Sequence, residues 1–333
     1  MRLILGIGSV CAFAASIAGA VGLAAGPAAS AGSKALPLGS LSLGVSGPGD
    51  APAGFTARSF SVRCPGVPEP AEGIIATAPA LARARGVIMF FSGGLGTGYW
   101  GARTESLEFF EALRRDGFTL VQVRWVDSWM ESTPGERVGP ARLACRPATV
   151  VKWAHDRIFE PLGVKPANVG RCGFCITGNS GGASQVSYAL SHFGLETLLD
   201  AVVPTGGPPH AALAKGCLGS DRSSALPAGK IDGSYGFARG RGPCARRDES
   251  FRARWLGDGI ATGGNDFFHP RTRIAFILGG QDPTSAVPQA AEYVARLRVA
   301  GSRRVTVRRP PDVPHGIAGS KAGLVLLRAL LRA

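Results

Sequence analysis

Apolar and polar residues are arranged along the chain in alternating strand-like and helix-like patterns. Residues 55–64 alternate apolar with polar positions, which is typical of a half-buried antiparallel strand. Residues 86–92 are almost continuously apolar, as in a strand that helices cover on both faces of a sheet. The same criteria predict further strands at 73–77, 118–126, 173–177, 198–204, 273–278 and 303–308, and helices at 104–115, 147–159, 180–193, 287–299 and 321–331.

This succession of strands and helices predicts one α/β domain over residues 55–333, with a mostly parallel sheet covered by helices on both faces. In such sheets the functional groups lie at the carboxyl ends of the strands. Residues 32–54 are rich in Gly, Pro, Ser and Ala and are predicted to be a flexible lead-in. Residues 207–270 are rich in Gly, Pro and Arg without a strong period, and we predict that they form a cap over a site.

Residues 1–31 have the layout of a secretory signal peptide. Arg2 is followed by an apolar stretch rich in Ala and Gly, and Ala29-Ser30-Ala31 is a small-residue cleavage pattern. An uncleaved membrane anchor is the alternative, but the Ala and Gly content makes the stretch less hydrophobic than a spanning helix, which favours cleavage near Ala31. The mature protein is therefore predicted to be secreted, extracellular or periplasmic, without a stable membrane anchor.

The cysteines support export. Loss of Cys11 with the signal peptide leaves an even number of cysteines in a chain bound for an oxidising compartment. Sequence cannot choose among the possible pairings, and only Cys217 with Cys244, which share one loop-rich segment, is favoured. Cys172-x-x-Cys175 is typical of redox or metal sites, but it runs into a predicted strand and no second ligand pair follows at zinc spacing. Structural disulfides are therefore favoured, and no metal site is predicted.

The formal net charge is +14 and comes mainly from arginine. Such a charge favours anionic surfaces or acidic substrates, and a solvated arginine-rich surface is the alternative interpretation. The basic residues are scattered and form no stripe with interleaved aromatic residues. Nucleic-acid binding is therefore not predicted.

A serine between glycines is the first candidate for chemistry. A short apolar run ends in Gly178-Asn179-Ser180-Gly181-Gly182 and continues into helical spacing, the strand–turn–helix context in which Gly-x-Ser-x-Gly places a nucleophilic serine. With 48 glycines in 333 residues, the pattern by itself is close to a chance match, and an ordinary glycine turn is the alternative. The strand–turn–helix context and the rest of the chain, and not the glycine–serine pattern, must therefore decide whether Ser180 is a nucleophile.

Partners for Ser180 follow in the order that this context requires. Asp282 comes after a predicted strand and a Gly-Gly turn, and His315 lies on a Pro/Gly loop between the last strand and the last helix. We predict that His315 accepts the Ser180 proton and that Asp282 orients and stabilises the imidazole. Asp282 taken singly could begin a turn, His315 could be a surface residue, and Asp312 is the nearest rival acid. Jointly, three such residues at three strand ends are an improbable accident.

The oxyanion of an acyl transfer needs backbone donors near the serine. One candidate is the N–H of Gly181, the residue after the nucleophile. The second is Gly94 or Leu95, in the glycine-rich loop after the strand at 86–92, and sequence does not choose between them.

Aromatic residues lie at or after the ends of the two predicted strands at 86–92 and 118–126. Tyr99 and Trp100 come after the glycine-rich loop, and Trp125 ends the next strand, with Trp129 close behind it. These side chains either line an acyl or alcohol pocket or belong to the core, and the sequence favours neither interpretation.

The chain resembles the α/β-hydrolase superfamily, on the secreted esterase and lipase side, over residues 55–333. The resemblance implies an eight-stranded, mostly parallel sheet and acyl transfer to water through an acyl-enzyme. Ser92 stands where many members carry histidine, and a Cys-x-x-Cys precedes the elbow strand. The motifs that carry the resemblance are Gly178-Asn179-Ser180-Gly181-Gly182, Gly279-Gly280-Gln281-Asp282, Pro314-His315-Gly316 and Ser92-Gly93-Gly94.

The leading hypothesis is hydrolysis of a small-molecule or polymeric carboxylic ester on Ser180, without a metal or an organic cofactor. A serine peptidase of the same fold is one alternative, and a secreted binding protein that keeps the fold without catalysis is another. Acyl and alcohol specificity and the oligomeric state are left open by the sequence.

Overall fold

The computed structural model describes residues 34–45, 51–101, 104–164, 171–219 and 227–333. The predicted signal peptide, residues 1–31, lies outside them. The described residues belong to one compact unit, Ser33–Ala333. Among them, no helix combines the length and the apolar character needed to cross a bilayer.

Nine strands of the described residues form one sheet. Strands β1 to β3 are antiparallel to their neighbours, and β3 also pairs antiparallel with β5. The remaining pairs are all parallel. The strands are β1 (Ser40–Leu43), β2 (Thr56–Arg63), β3 (Ala71–Ala78), β4 (Gly86–Phe91), β5 (Phe118–Trp125), β6 (Phe174–Asn179), β7 (Ala201–Thr205), β8 (Arg273–Ile277) and β9 (Val305–Arg308), in the spatial order β1-β2-β3-β5-β4-β6-β7-β8-β9.

From β4 onward, helices connect each strand to the next. A π-helix, His155–Phe159, continues the third α-helix, and short 3₁₀ turns lie at Glu160–Leu162, Leu195–Leu198, Glu249–Phe251 and Ile317–Gly319. The α-helices are α1 (Thr104–Arg115), α2 (Pro140–Leu143), α3 (Cys145–Ala154), α4 (Gly181–Phe193), α5 (Leu213–Leu218), α6 (Ala228–Ser234), α7 (Pro243–Arg246), α8 (Arg252–Asp258), α9 (Ile260–Gly263), α10 (Ala286–Val299) and α11 (Lys321–Arg332).

The central strands of the sheet are buried on both faces, and β4 shows why its sequence is continuously apolar. Val87, Met89 and Phe91 belong to the core shared with α3, α4 and α10, whereas Ile88 and Phe90 belong to the core shared with α1 and α11. All five side chains are fully buried. Both faces of the strand therefore need apolar residues, which removes the alternation seen in a half-buried strand. The predicted α/β architecture is confirmed.

Strand β1 corrects the prediction for the segment before residue 55. A flexible lead-in over residues 32–54 and eight strands were expected, but Ser40–Leu43 pairs with β2 and raises the strand number in the described residues to nine. Leu41 and Leu43 pack against the core. Four residues are too few to show a period, and the strand exists because β2 offers it a paired edge.

Five short helices, α5 to α9, occupy the described part of the cap segment, residues 207–270. None exceeds seven residues, which explains why no helical period was visible in the sequence. The buried carboxylate of Asp232 holds α6 to α7, because it accepts the backbone N–H groups of Gly242, Cys244 and Ala245 at 3.1, 2.8 and 3.2 Å. The cap segment is therefore fixed by side-chain contacts rather than by regular secondary structure.

Three disulfides connect the six cysteines that follow Cys11. Cys217 pairs with Cys244 inside the cap segment, as predicted. Cys64, directly after β2, pairs with Cys145 at the start of α3, and Cys172 pairs with Cys175 at the entrance to β6. The Cys-x-x-Cys motif thus forms a bridge between β6 and the residues just before it, at the opposite end of the strand from Ser180.

Candidate active site

Ser180 occupies a strained turn between β6 and α4. Its φ and ψ angles are 55° and −116°, and among the described non-glycine residues only Arg247 also has a positive φ. Such a backbone is unfavourable for a residue with a β-carbon, and it persists only where the surrounding structure enforces it. Here the Ser180 N–H donates to the carbonyl of Thr205 at 2.8 Å, and the side chain remains partly exposed. The geometry is that of a nucleophile elbow.

Two glycines of the elbow allow the loop after β4 to cross it backbone against backbone. A β-carbon added to Gly181 would lie 2.1 Å from the carbonyl oxygen of Gly94, and one added to Gly182 would lie 2.1 Å from that of Phe91. Neither distance is possible for a real side chain, and the clashing atoms are backbone. The glycines therefore serve the close packing of two loops, which brings Gly94 beside the residue that follows Ser180.

The structure brings the predicted acid and base together. Nδ1 of His315 lies 2.6 Å from Oδ2 of Asp282, although the two residues belong to loops after different strands. The Asp282 side chain is fully buried, and its other oxygen accepts the Thr284 N–H at 2.9 Å. The His315 side chain keeps 30% of its surface exposed. Asp312, the rival acid, is exposed.

Asn179 connects the elbow to the loop that carries the histidine. Its Oδ1 accepts the hydroxyl of Thr205 at 3.0 Å and the backbone N–H of Ile317 at 3.3 Å, two residues beyond His315. The same side chain and the imidazole flank Gly206. A β-carbon at Gly206 would lie 3.3 Å from both Asn179 Oδ1 and His315 Nδ1. The residue before the serine thus positions the segment that bears His315.

The backbone N–H groups proposed for the oxyanion have no protein acceptor in the described residues; these groups belong to Gly94, Leu95 and Gly181. The loop that carries two of them is held by its carbonyls instead. The N–H groups of Trp125 and Trp129 donate to the carbonyls of Gly96 and Leu95 at 2.9 and 3.1 Å. A loop fixed from its carbonyl side leaves its donors available, as preorganised oxyanion binding requires.

Tyr99 and Trp100 lie beside the elbow. Both line a cavity of 380 Å³ that Asn179 and Gly316 also border. Trp100 is only 5% exposed and packs against Phe90 at a ring-centroid distance of 5.2 Å, so most of this side chain belongs to the core. The pocket role predicted for Tyr99 and Trp100 remains a prediction.

Trp125 is placed differently. It is 1% exposed, and its indole N–H donates to Gln185 Oε1 at 2.9 Å. It borders a separate cavity of 660 Å³, whose other lining includes Asp127 and Phe237. The backbone N–H of Trp125 also holds the glycine-rich loop, so the hydrogen bonds of this residue are structural. The pocket role predicted for Trp125 remains a prediction.

The remaining histidines of the chain are poor candidates for the base. Burial lowers the pKa of His192 and His210 to about 3 and that of His269 to about 4, so all three are neutral near pH 7. His155 lies on the π-helix, where its Nδ1 is 3.1 Å from Oδ1 of Asp156. Only His315 combines exposure with a buried carboxylate partner.

One group of the described residues has donor atoms close enough to hold a metal ion. Ligand atoms of His155, Asp156 and Glu160 lie within 4.8 Å of one another. However, the Lys152 ammonium already occupies one oxygen of Asp156 at 2.5 Å. The His155 ring packs against Phe174, the first residue of β6, whereas Ser180 follows the last. The group therefore lies at the opposite end of the strand from the elbow.

Sequence reasoning missed Asn179 and Thr284 as site residues. Asn179 is the variable position of the serine motif, where sequence gives no preference for a hydrogen-bonding residue. Thr284 follows Asp282 by two positions, a spacing at which backbone N–H groups commonly bond a carboxylate, and this signal was available. Thr284 Oγ1 also lies 3.3 Å from His315 Nδ1.

Comparison with known proteins identifies the fold. The chain matches no protein-family model, and no curated protein matches its sequence. It is similar to a bacterial heroin esterase, with a TM-score of 0.51 and 18% identity over 84% of this chain and 86% of that one. Brefeldin A esterase, described as a bacterial homologue of human hormone-sensitive lipase, gives a TM-score of 0.52 and 14% identity over 86% and 78% of the two chains.

A peptidase shares the same architecture. Acylaminoacyl peptidase from Pyrococcus horikoshii gives a TM-score of 0.51 and 16% identity over 83% of this chain and 40% of the peptidase, so the chain spans about two fifths of that protein's length. At these identities the likeness establishes the fold. The chain has the α/β-hydrolase fold, as its sequence motifs predicted.

Proposed function

We propose that the protein is a secreted serine hydrolase that cleaves carboxylic esters, with Ser180 as nucleophile, His315 as general base and Asp282 as its partner. The observation that carries the proposal is the 2.6 Å contact between His315 and a fully buried carboxylate, on a loop that Asn179 ties to a strained serine elbow. Backbone strain at a partly exposed serine supports a functional role for this turn.

The contact between His315 and Asp282 supports Nε2 as the imidazole nitrogen that acts as the base. A carboxylate accepts hydrogen bonds, so Nδ1 carries the proton and Nε2 keeps its lone pair. Nε2 then removes the Ser180 proton as the hydroxyl attacks the ester carbonyl, and it returns that proton to the leaving alcohol. Water repeats the sequence on the acyl-enzyme, which releases the acid and regenerates the serine.

The N–H of Gly181 and that of Gly94 or Leu95 would stabilise the negative charge on the carbonyl oxygen. These donors lie on two loops that pack backbone against backbone, and none has a competing acceptor in the described residues. Each such donor typically contributes about 10²–10³ in rate.

Esters are favoured over peptides because both esterases match over most of either chain, whereas the peptidase match leaves more than half of that protein uncovered. Three disulfides are typical of proteins from oxidising compartments and support the proposed export.

A fluorophosphonate probe tests the catalytic assignment. We expect the wild-type protein to be labelled and Ser180→Ala to be unlabelled. The matched control is Ser184→Ala, because Ser184 lies one helical turn away and its buried hydroxyl has no hydrogen-bond partner. This control should be labelled like the wild type. A folded wild-type protein that resists labelling would contradict the proposal and support a non-catalytic binding protein.

A panel of 4-nitrophenyl esters and peptide anilides then separates esterase from peptidase. We expect ester cleavage to exceed anilide cleavage in kcat/KM, and the reverse order would favour the peptidase. Mass spectrometry of the exported protein should show an N-terminus near residue 32, since cleavage is predicted near Ala31.

A further inference from the structure

A lysine of the cap segment reaches the oxyanion loop. Lys230 lies on α6, and its Nζ is 3.8 Å from the position of a β-carbon built on Gly94. The side chain is partly buried. Within the described residues, no carboxylate forms an ion pair with it. An ammonium therefore lies beside Gly94, one of the proposed oxyanion donors, and no counter-charge pairs with it in the described part of the chain.

The neighbouring histidine, His210, adds no second positive charge beside Lys230. His210 is 3% exposed, and its Nδ1 is buried without a hydrogen-bond partner. Burial, and next the positive charge of Lys230, lower the pKa of His210 to about 3, which keeps the imidazole neutral. The Trp129 ring packs against the His210 ring, with the two ring centroids 6.3 Å apart. His210 is therefore a neutral neighbour of the Lys230 ammonium.

A partly buried cation without a partner loses hydration that nothing in the described protein replaces, and an anion bound beside it would restore the balance. Lys215 shows the contrast within the same cap segment. Its ammonium is more than half exposed and is paired with Glu292 at 2.5 Å. The two lysines therefore differ in pairing: a carboxylate of the protein already neutralises Lys215, whereas Lys230 can recruit an anionic ligand.

We propose that Lys230 binds a carboxylate of the substrate, so that the preferred substrates are esters with a carboxylate close to the scissile carbonyl. This inference rests on the function proposed above. The net charge of +14 acts in the same direction, because a positive protein attracts anionic substrates to its surface.

Matched ester pairs test the inference. 4-Nitrophenyl hydrogen adipate and 4-nitrophenyl hexanoate differ mainly by a carboxylate on the acyl side, and 4-acetoxybenzoate and its methyl ester differ by one on the alcohol side. In at least one pair, Lys230→Met should lower the ratio of kcat/KM for the anionic ester to that for the neutral ester about 10–100-fold. Lys230→Arg should restore most of the ratio, since it keeps the charge.

The control is Lys215→Met, which removes an exposed cap lysine and should leave both ratios within about twofold, as expected for a surface ion pair. A ratio that Lys230→Met leaves within about threefold in both pairs overturns the inference. Equal loss of activity on all four esters does so too, since the lysine would then act on the oxyanion. Fluorophosphonate labelling of wild type and Lys230→Met separates the two proposals: an unlabelled wild type rejects both, whereas a labelled wild type with unchanged ratios rejects only the lysine's role.

Discussion

The elbow edge and the cap segment are built by different means. At the elbow edge, which comprises residues 91–96 and 178–183, glycines bring backbone against backbone, and a carbonyl oxygen is the nearest atom to a β-carbon added at Gly93, Gly178, Gly181 or Gly182. In the cap segment, residues 207–270, side chains hold the short helices. The Asp232 carboxylate of α6 accepts the Cys244 N–H of α7, the Cys217–Cys244 bridge joins α5 to α7, and the Tyr235 hydroxyl donates to Asp258 at 2.7 Å.

This difference implies a division of tasks. Backbone contacts leave no room for variation, so the elbow edge can fix the geometry of a reaction that every substrate shares. Side-chain contacts can be exchanged one at a time, so the cap segment can adapt to different substrates with the elbow unchanged. Lys230 illustrates the second case, because it approaches the elbow edge from the cap segment.

The largest effect should come from the acid that serves the elbow edge. Asp282→Asn should lower kcat by about 10⁴-fold, because an amide can donate to Nδ1 and so favours the tautomer in which Nε2 carries the proton. Steady-state kinetics on a 4-nitrophenyl ester measure the loss, and circular dichroism checks the fold. Asp312→Asn is the control, and its exposed side chain predicts an effect below about twofold. If Asp312→Asn lowered kcat more than Asp282→Asn does, Asp312 and not Asp282 would be the acid that pairs with His315.

Adding one methyl group to each region sharpens the comparison. Gly181→Ala should lower kcat about 10²–10³-fold, because its β-carbon would meet the Gly94 carbonyl at 2.1 Å and displace the oxyanion loop. Gly233→Ala on α6 has no atom within 4 Å of the new carbon and should stabilise the protein by about 0.5–1 kcal/mol through helix propensity. Kinetics and urea unfolding measure both variants. Similar changes in kcat and in unfolding free energy for Gly181→Ala and Gly233→Ala would contradict the distinction between a backbone-packed elbow edge and a side-chain-packed cap segment.

Removing the Cys217–Cys244 disulfide of the cap segment should lower the free energy of unfolding. The chain-entropy relation predicts a loss of about 3.5 kcal/mol for Cys217→Ala/Cys244→Ala, since the bridge spans 27 residues. Urea unfolding measures the change. The Cys172–Cys175 bridge spans three residues, so its removal should cost less, unless it braces β6 under Ser180. Mass mapping that found Cys172 and Cys175 as free thiols would reject the bracing hypothesis.

The smallest effect is a response to acid from two buried histidines, one on the helix that follows the elbow edge and one in the cap segment. His192 on α4 and His210 in the cap segment have a folded-state pKa of about 3, against about 6.5 when unfolded. Above pH 6.5 neither state is protonated, so these groups contribute no pH dependence there. As the pH falls below 6.5, only the unfolded state takes up protons, and each histidine lowers the unfolding free energy by about 1.4 kcal/mol per pH unit.

Urea unfolding of wild type and His192→Leu between pH 7.5 and pH 5 measures this dependence. Both ring nitrogens of His192 are buried without partners, so leucine removes the protonation without removing a hydrogen bond. The variant should lose about 1.4 kcal/mol per pH unit less than the wild type below pH 6.5. If the unfolding free energies of wild type and His192→Leu fell in parallel as the pH is lowered, His192 would have to be accessible to protons in the folded state.

Sequence by itself determined the parallel part of the sheet and its flanking helices. The helix predicted at 104–115 is α1 with the same bounds, and the apolar run at 86–92 is β4. These elements are long or fully buried, so their composition and period carry the information. Sequence also predicted Asp282 and His315 as partners, because residue types at successive strand ends follow from chain order alone, and the structure places them in contact.

Only the tertiary structure decided which segments lie against one another. Strand β1 exists through pairing with β2, the cap helices are too short to have a period, and Asn179 became a site residue through a hydrogen bond to Ile317. Lys230 lies 136 residues after Gly94 in the chain, yet the cap segment brings its ammonium to that loop. Local patterns report how a segment is buried, whereas contacts between distant segments depend on the packing of the whole chain.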